Sequence, residues 1–272
     1  MSDWAGSEGE HWAAHADRYT RVLARFGALL VEAAGFAPGQ RVIEIGCGNG
    51  DTAVAAGRAV GEEGSVLGVD LSEDMLGVAR ARVAAAGLTN TTFVAADATT
   101  FAPDPAGFDL AVSRFGVMFF DDPVAAFTNI RGLLAPGGRL VFACWQSLLV
   151  NDWLLVPAAA VAEVLPLPVP ADPNAPGPFA FADAERVAGI LSAAGFDGPA
   201  VEPIVAKVWV GDSPEEAADY LRTTGMGRAI FAEAPPELID EALARAAAAV
   251  APHAGPAGIE LDGAAWLVTA TT

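Results

Sequence analysis

The sequence is short of positive charge. Its 15 lysines and arginines face 34 aspartates and glutamates, a formal net charge of −19 over 272 residues. Nucleic-acid affinity comes mainly from basic side chains that neutralise phosphates, so no nucleic-acid partner is expected. The same repulsion argues against an anionic membrane surface. No apolar run reaches the roughly 20 residues that cross a bilayer. The nearest, Trp153 to Leu165, is interrupted by Pro157 and Glu163. Met1-Ser2-Asp3-Trp4 lacks the basic and apolar stretches of a secretory leader. Cys47 and Cys144 are too few for a disulfide framework. The expectation is a soluble, cytoplasmic protein. What is present is 53% hydrophobic and 18% charged, an ordinary balance for a globular enzyme.

Ser7 and Glu10 have capping-box spacing and open a predicted helix toward Gly35, with room for a break. Trp12, His15, Tyr19, Val22, Phe26 and Leu29/Leu30 step by three or four along one face of it. Strands and helices then alternate. Strands are predicted at 41–45, 65–70, 91–96, 108–113 and 139–145, and the first three end at or beside an acid: Glu44, Asp70 and Asp97. Ser72 and Asp122-Pro123 are helix caps. Apolar strands alternating with helices define an α/β fold, a doubly wound parallel sheet.

Beyond Trp145 an apolar helix at 151–165 precedes a stretch with Pro166, Pro168, Pro170, Pro173, Pro176 and Pro178, which cannot enter a sheet interior. Asp183 caps another helix, 201–210 is a strand, Ser213 opens helical segments broken at Pro235-Pro236, and 259–269 is a last strand. The expected organisation is a single domain, 1–272, with a helical cap at 1–38 and insertions at 146–182 and 211–257 forming a substrate lid.

Glu44-Ile45-Gly46-Cys47-Gly48-Asn49-Gly50 falls where the first strand meets its helix, the ligand-binding end of an open parallel sheet. Its spacing is G-x-G-x-G; a dinucleotide fingerprint needs glycine at the position of Asp51. Glu44 would repel a pyrophosphate and suits a ligand carrying an ammonium and a sulfonium. Asp70 stands where an acid accepts from ribose hydroxyls, a feature shared by several nucleoside sites. Together these favour an adenosine ligand without a diphosphate.

Val42 to Gly50, Val69-Asp70-Leu71-Ser72 with Met75-Leu76, Ala96-Asp97-Ala98 and Leu134-Ala135-Pro136-Gly137-Gly138 follow in order. In these four motifs the chain resembles the class I S-adenosylmethionine (SAM)-dependent methyltransferases across most of 40–145. Ser113 to Phe120 is similar to a subgroup that includes the ubiquinone/menaquinone-biosynthesis C-methyltransferases and small-molecule methyltransferases of secondary metabolism. The resemblance implies SAM as cofactor, a small and largely apolar acceptor, and a Rossmann-like sheet of seven strands with the last antiparallel. It implies that the backbone of Gly46, Cys47, Gly48 and Gly50 holds the methionine portion with Glu44 nearby. Asp70 would bind the ribose, Leu71 and Met75 would pack on adenine, Asp97 and the Ala98 amide would meet the adenine edge, and the Ser113 carbonyl would receive the ammonium. The absence of an Asp/Asn-Pro-Pro-Tyr sequence argues against exocyclic amino groups of nucleobases or glutamine.

Several positions stay open between chemistry and packing. Arg114 could orient a carboxylate of cofactor or substrate, or pair with a core acid. His15, His11 and Tyr19 are the candidates for a general base, against a structural histidine in an aromatic stripe. Trp12 and Tyr19 are packing residues or parts of a cap over the cofactor. Phe115, Met118, Trp153, Phe179, Trp209, Tyr220 and Met226 are candidate acceptor-pocket residues. Asp121-Asp122 reads as a helix cap, and no metal site is expected. Two alternatives remain: a methyltransferase-like fold that binds SAM without methyl transfer, in a cyclase or binding role, and a nicotinamide-dependent oxidoreductase.

Overall fold

In the computed structural model, which describes residues 3–104, 106–167, 172–232 and 234–272, the N-terminal stripe folds as two helices. These are α1 (Ser7–Ala14) and α2 (Ala16–Ala34), broken at His15 with φ −112° and ψ 25°. The expected Ser7 cap is corrected. Ser7 already lies inside α1, and its amide donates to the Asp3 carboxylate at 3.3 Å. Gly35, left-handed at φ 56°, ends α2.

Next come β1 (Arg41–Ile45), α3 (Asp51–Val60), β2 (Ser65–Asp70), α4 (Glu73–Ala85), β3 (Thr91–Ala95) and β4 (Phe108–Arg114). They are followed by α5 (Pro123–Leu133) and β5 (Leu134–Trp145). The caps act as their residue types require: Ser72 accepts from the Met75 amide at 3.2 Å and Asp122 from the Ala125 amide at 3.0 Å. The remaining elements are α6 (Asp152–Val161), α7 (Ala184–Ala193), β6 (Asp197–Gly211), α8 (Pro214–Thr223), α9 (Gly225–Phe231), α10 (Pro236–Val250), β7 (Ala254–Gly255) and β8 (Gly258–Thr271).

The sheet runs β3-β2-β1-β4-β5-β8-β6, with the two-residue β7 paired to β8. Strands β1 to β5 pair in parallel, and β8 lies antiparallel to β5. Val42, Ile43, Leu110, Ala111, Val112 and Leu140 to Cys144 are fully buried, which accounts for the unbroken apolar runs in these strands. From β1 the chain builds outward to β3, then returns to the other side of β1 with β4. The switch point between β1 and β4 is the crevice where open α/β sheets hold ligands.

The chain divides into two compact units. The sheet unit comprises Met1–Trp145, Asn174–Ile204 and Ala265–Thr272; the second comprises Gln146–Pro173 and Val205–Ala264. These bounds differ from the expected insertions: 174–182 groups with the sheet, so Phe181 packs on Phe127 and Phe142 at ring separations of 6.1 and 6.4 Å. Pro168 and Pro170 lie outside the described residues. The second unit is organised around the fully buried Asn151. Its Nδ2 lies within 3.2 Å of the Gln146, Ser147 and Ala264 carbonyls, and its Oδ1 accepts from the Ala264 amide at 2.9 Å and the Trp153 indole at 3.0 Å. Among the described residues no helix is long and apolar enough to cross a membrane.

Gly50 shows how tightly the loop after β1 is packed. It is left-handed at φ 81°, and a Cβ there would sit 2.7 Å from the Ala79 Cβ. Gly50→Ala is expected to cost about 2 kcal/mol through overpacking and backbone strain, measured by urea unfolding.

Candidate active site

Three left-handed glycines, Gly46 (φ 63°), Gly48 (φ 50°) and Gly50, turn the chain sharply from β1 into α3. A Cβ on Gly46 would lie 3.0 Å from the Gly116 Cα, so two backbones meet at the switch point with no room for a side chain. The loop is braced from β2. Asp70, 8% exposed, accepts from the Gly48 amide at 2.8 Å and from the Ser72 amide at 2.9 Å. Burial raises the Asp70 pKa, and the Ser72, Gly48 and Leu71 amides offset part of that rise. Leu71 beside it is 46% exposed, whereas Met75 is buried at the start of α4.

Glu44 is 2% exposed, and its Oε2 has no hydrogen-bond partner. Burial pushes its carboxyl up to about 8, against the pull of the Arg114 guanidinium and the Thr52 hydroxyl; Asp51 and Asp70 push it further upward. Burial thus favours the protonated form of Glu44, and a cation placed beside it would favour the carboxylate. Ser113, on β4, is fully buried with an unpartnered Oγ. Two orphaned oxygens on the strands flanking the switch point fit a ligand that brings hydrogen-bond donors or positive charge. Cys47 is buried and its thiol is pushed far up by burial, so it is an inert packing residue.

Beyond the end of β3 the picture is looser. Asp97 is exposed, and its Oδ1 accepts from the Thr99 amide and hydroxyl at 2.8 and 2.7 Å. The Ala98 carbonyl accepts from Asn129 at 2.9 Å. Arg114 pairs with an acid: its Nη2 donates to Asp51 at 2.9 Å.

Helix α1 lies across this end of the sheet. Gly9 passes so close to α4 that a Cβ would overlap the Ser72 hydroxyl, and Trp4 meets Phe119, after β4, edge-on at 4.9 Å. The glycine loop holds the corner between α1 and α2, because the Asn49 amide group donates to the Trp12 carbonyl at 3.1 Å. In that corner Trp12 stacks on Tyr19 at 3.7 Å, and the Tyr19 hydroxyl is 3.0 Å from His11 Nε2. His15 is exposed and its Nδ1 lies 2.8 Å from the His11 carbonyl, a local bond within one turn.

Of the acceptor-pocket candidates, Phe115 and Met118 are buried in the sheet unit. Phe115 stacks on Trp145 at 4.1 Å, with a left-handed φ of 64°, and Met118 Sδ accepts from the Trp145 amide at 3.3 Å. Phe179 is partly exposed and belongs to the sheet unit. Trp153, Trp209, Tyr220 and Met226 belong to the second unit, where Trp153 and Tyr220 lie 6.4 Å apart and the Trp209 indole donates to Asp212 at 3.1 Å.

A glycine loop at the switch point of a doubly wound sheet, with buried acids on β1 and β2, gives a Rossmann-like fold with a crevice at its ligand-binding end. Residues 42–138 match the family described as "Methyltransferase domain". It is similar to a demethylmenaquinone methyltransferase of Shouchella clausii, 38% identical over 103 residues that make up 38% of this chain and 44% of that protein. It is also similar to the aklanonic acid methyltransferase DauC of a Streptomyces species, 34% identical over 116 residues, 43% of this chain and 53% of that one. The chain thus spans about half the length of these curated relatives. A crystal structure of a putative methyltransferase from Bacillus halodurans shares the fold with a TM-score of 0.58 at 19% identity, covering 90% of this chain and 97% of that one.

Proposed function

We propose that the chain transfers a methyl group from SAM to a small, largely apolar acceptor with a C, O or N nucleophile, in quinone-type or secondary-metabolite biosynthesis. The observation that carries this reading is the buried acidic crevice: Glu44 and Asp70 bracket a G-x-G-x-G loop in place of a phosphate cradle. The named substrates of the two relatives support the acceptor class. The cofactor would supply a methyl already activated by its sulfonium. This chain's residues then have to bind, orient and keep out water, and orientation alone is worth roughly 7–11 kcal/mol in favourable cases.

Under this reading Glu44 and the Gly46, Cys47, Gly48 and Gly50 backbone hold the methionine end, together with the Ser113 carbonyl. Asp70 takes the ribose hydroxyls, Leu71 and Met75 flank the adenine, and Asp97 and Ala98 meet its edge. The α1–α2 corner with Trp12 and Tyr19 excludes solvent. The Tyr19–His11 pair is the group best placed to hold a proton taken from an acceptor, and the exposed His15 serves to fix the corner. Within the second unit, Trp153, Tyr220 and Met226 are candidates for acceptor recognition.

The test is incubation with methyl-labelled SAM and a panel of quinol and phenolic acceptors. Label in an acceptor is the expected result, with SAM and S-adenosylhomocysteine binding but not NADH. Tight SAM binding with no label in any product would instead favour a cyclase or binding role. Binding of NADH alone would favour an oxidoreductase.

A further inference from the structure

Asp51, which takes the place of the third glycine of a dinucleotide fingerprint, lies at the centre of a polar cluster beside the site. It opens α3 directly after Gly50, and its carboxylate contacts three other elements. From β4, Arg114 Nη2 donates to Oδ2 at 2.9 Å. From α4, Arg82 Nη1 donates to Oδ1 at 2.7 Å. From α2, the Thr20 hydroxyl lies 3.0 Å from each carboxylate oxygen and the same distance from its own Ala16 carbonyl.

Arg82 ties the cluster to both neighbours, with Nη1 also 3.2 Å from the Asn49 carbonyl in the glycine loop and Nη2 3.0 Å from Asp17 on α2. The Arg114 side chain lies along α2, where a Cβ on Gly27 would come within 3.1 Å of its Nη1. Exposure of the three side chains is 19% for Asp51, 14% for Arg114 and 21% for Arg82, so these pairs are less screened than open surface ion pairs.

We infer that Asp51 is a positioning residue, a latch that holds the α1–α2 cap on the glycine loop through Thr20 and so sets how long a ligand stays in the crevice. Two direct hydrogen bonds tie the cap down on either side of the corner, Asn49 to the Trp12 carbonyl before the break at His15 and Thr20 to Asp51 at the head of α3 after it, and Arg82 adds a bridge from Asp17 to the Asn49 carbonyl. Thr20 is one turn past the break, close to Tyr19 and Trp12, which the proposed function sets over the cofactor. Opening the latch frees those residues together.

The inference rests on the proposed methyl-transfer reading for its ligand, but the latch can be read without one. Thr20→Val removes the hydroxyl at nearly constant volume, and Thr20→Ser keeps it. Hydrogen–deuterium exchange of the ligand-free chain over residues 7–34 and stopped-flow dissociation of S-adenosylhomocysteine are measured for both and for Asp51→Asn. Thr20→Val and Asp51→Asn are expected to exchange about tenfold faster over the cap and to release ligand about tenfold faster, the loss of one hydrogen bond in a partly buried site. Thr20→Ser should stay within about twofold of wild type by the same reasoning. A valine variant indistinguishable from the serine variant overturns the latch. If Asp51→Asn does not fold, the Thr20 pair decides. Failure of the wild-type chain to bind S-adenosylhomocysteine would overturn the methyl-transfer reading instead, and the exchange comparison would still judge the latch.

Discussion

Replacing Asp70 by alanine is expected to weaken S-adenosylhomocysteine binding on the order of a hundredfold, about 2–3 kcal/mol. Two losses combine. The carboxylate accepts from the Gly48 and Ser72 amides, so its removal orphans one N–H in the glycine loop and one at the start of the α4 cap. It also removes the acceptor assigned to the ribose. Asp70→Asn separates the two effects, because the amide keeps one oxygen and much of the shape while losing the charge. An intermediate affinity is expected for it. Calorimetry showing wild-type affinity in a folded alanine variant would reject the assignment.

The second large effect concerns Glu44. Its pKa rises from 4.5 in the open chain to about 8 in the folded one. The sign follows from proton counting. Below the lower value both states carry the proton; as the pH rises toward the upper value, the unfolded chain releases it while the folded chain retains it. Stability from this group is therefore complete at low pH and declines through that window, by on the order of 3–5 kcal/mol. Glu44→Gln stays neutral throughout and escapes that decline. Urea unfolding of both proteins between those limits should show the glutamine variant gaining on wild type as the pH rises. Parallel stability curves would show that Glu44 is ionised in the folded chain. Cationic cofactor at the same place favours the carboxylate, so binding near neutral pH should release a proton, read as buffer-dependent heats in calorimetry.

The sheet was legible in the sequence because each of its signals is local. Runs such as Leu110 to Val112 and Leu140 to Cys144 are apolar throughout, and the Ser72, Asp122 and Asp183 caps lie within a turn of the amides they serve. The start of α1 was less sharply placed, because Ser7 and Glu10 have the right spacing while Asp3 makes the contact. The glycine loop and Asp70 could be read from spacing alone.

The Asp51 cluster could not. Arg82 and Arg114 reach it from distant positions, and no periodicity marks an arginine as turned toward a particular acid. Nor does spacing reveal a protonation state. Glu44 reads as a negative charge in the sequence, and only its burial in the fold opposes that charge. The acceptor candidates are aromatic and methionine side chains near predicted loops and insertions. Phe115 and Met118 turned out to be close-packed because the turn after β4 folds back on Trp145.

The strand order bears on how the protein can be assembled. β6 has one neighbour in the sheet, β8, and the chain must pass through α8, α9 and α10 before β8 is made. A nascent chain therefore carries β6 with its backbone groups exposed for the whole of that interval. Such an edge invites adhesion to other chains, so yield in a cell should depend on how well chaperones shield this segment during translation.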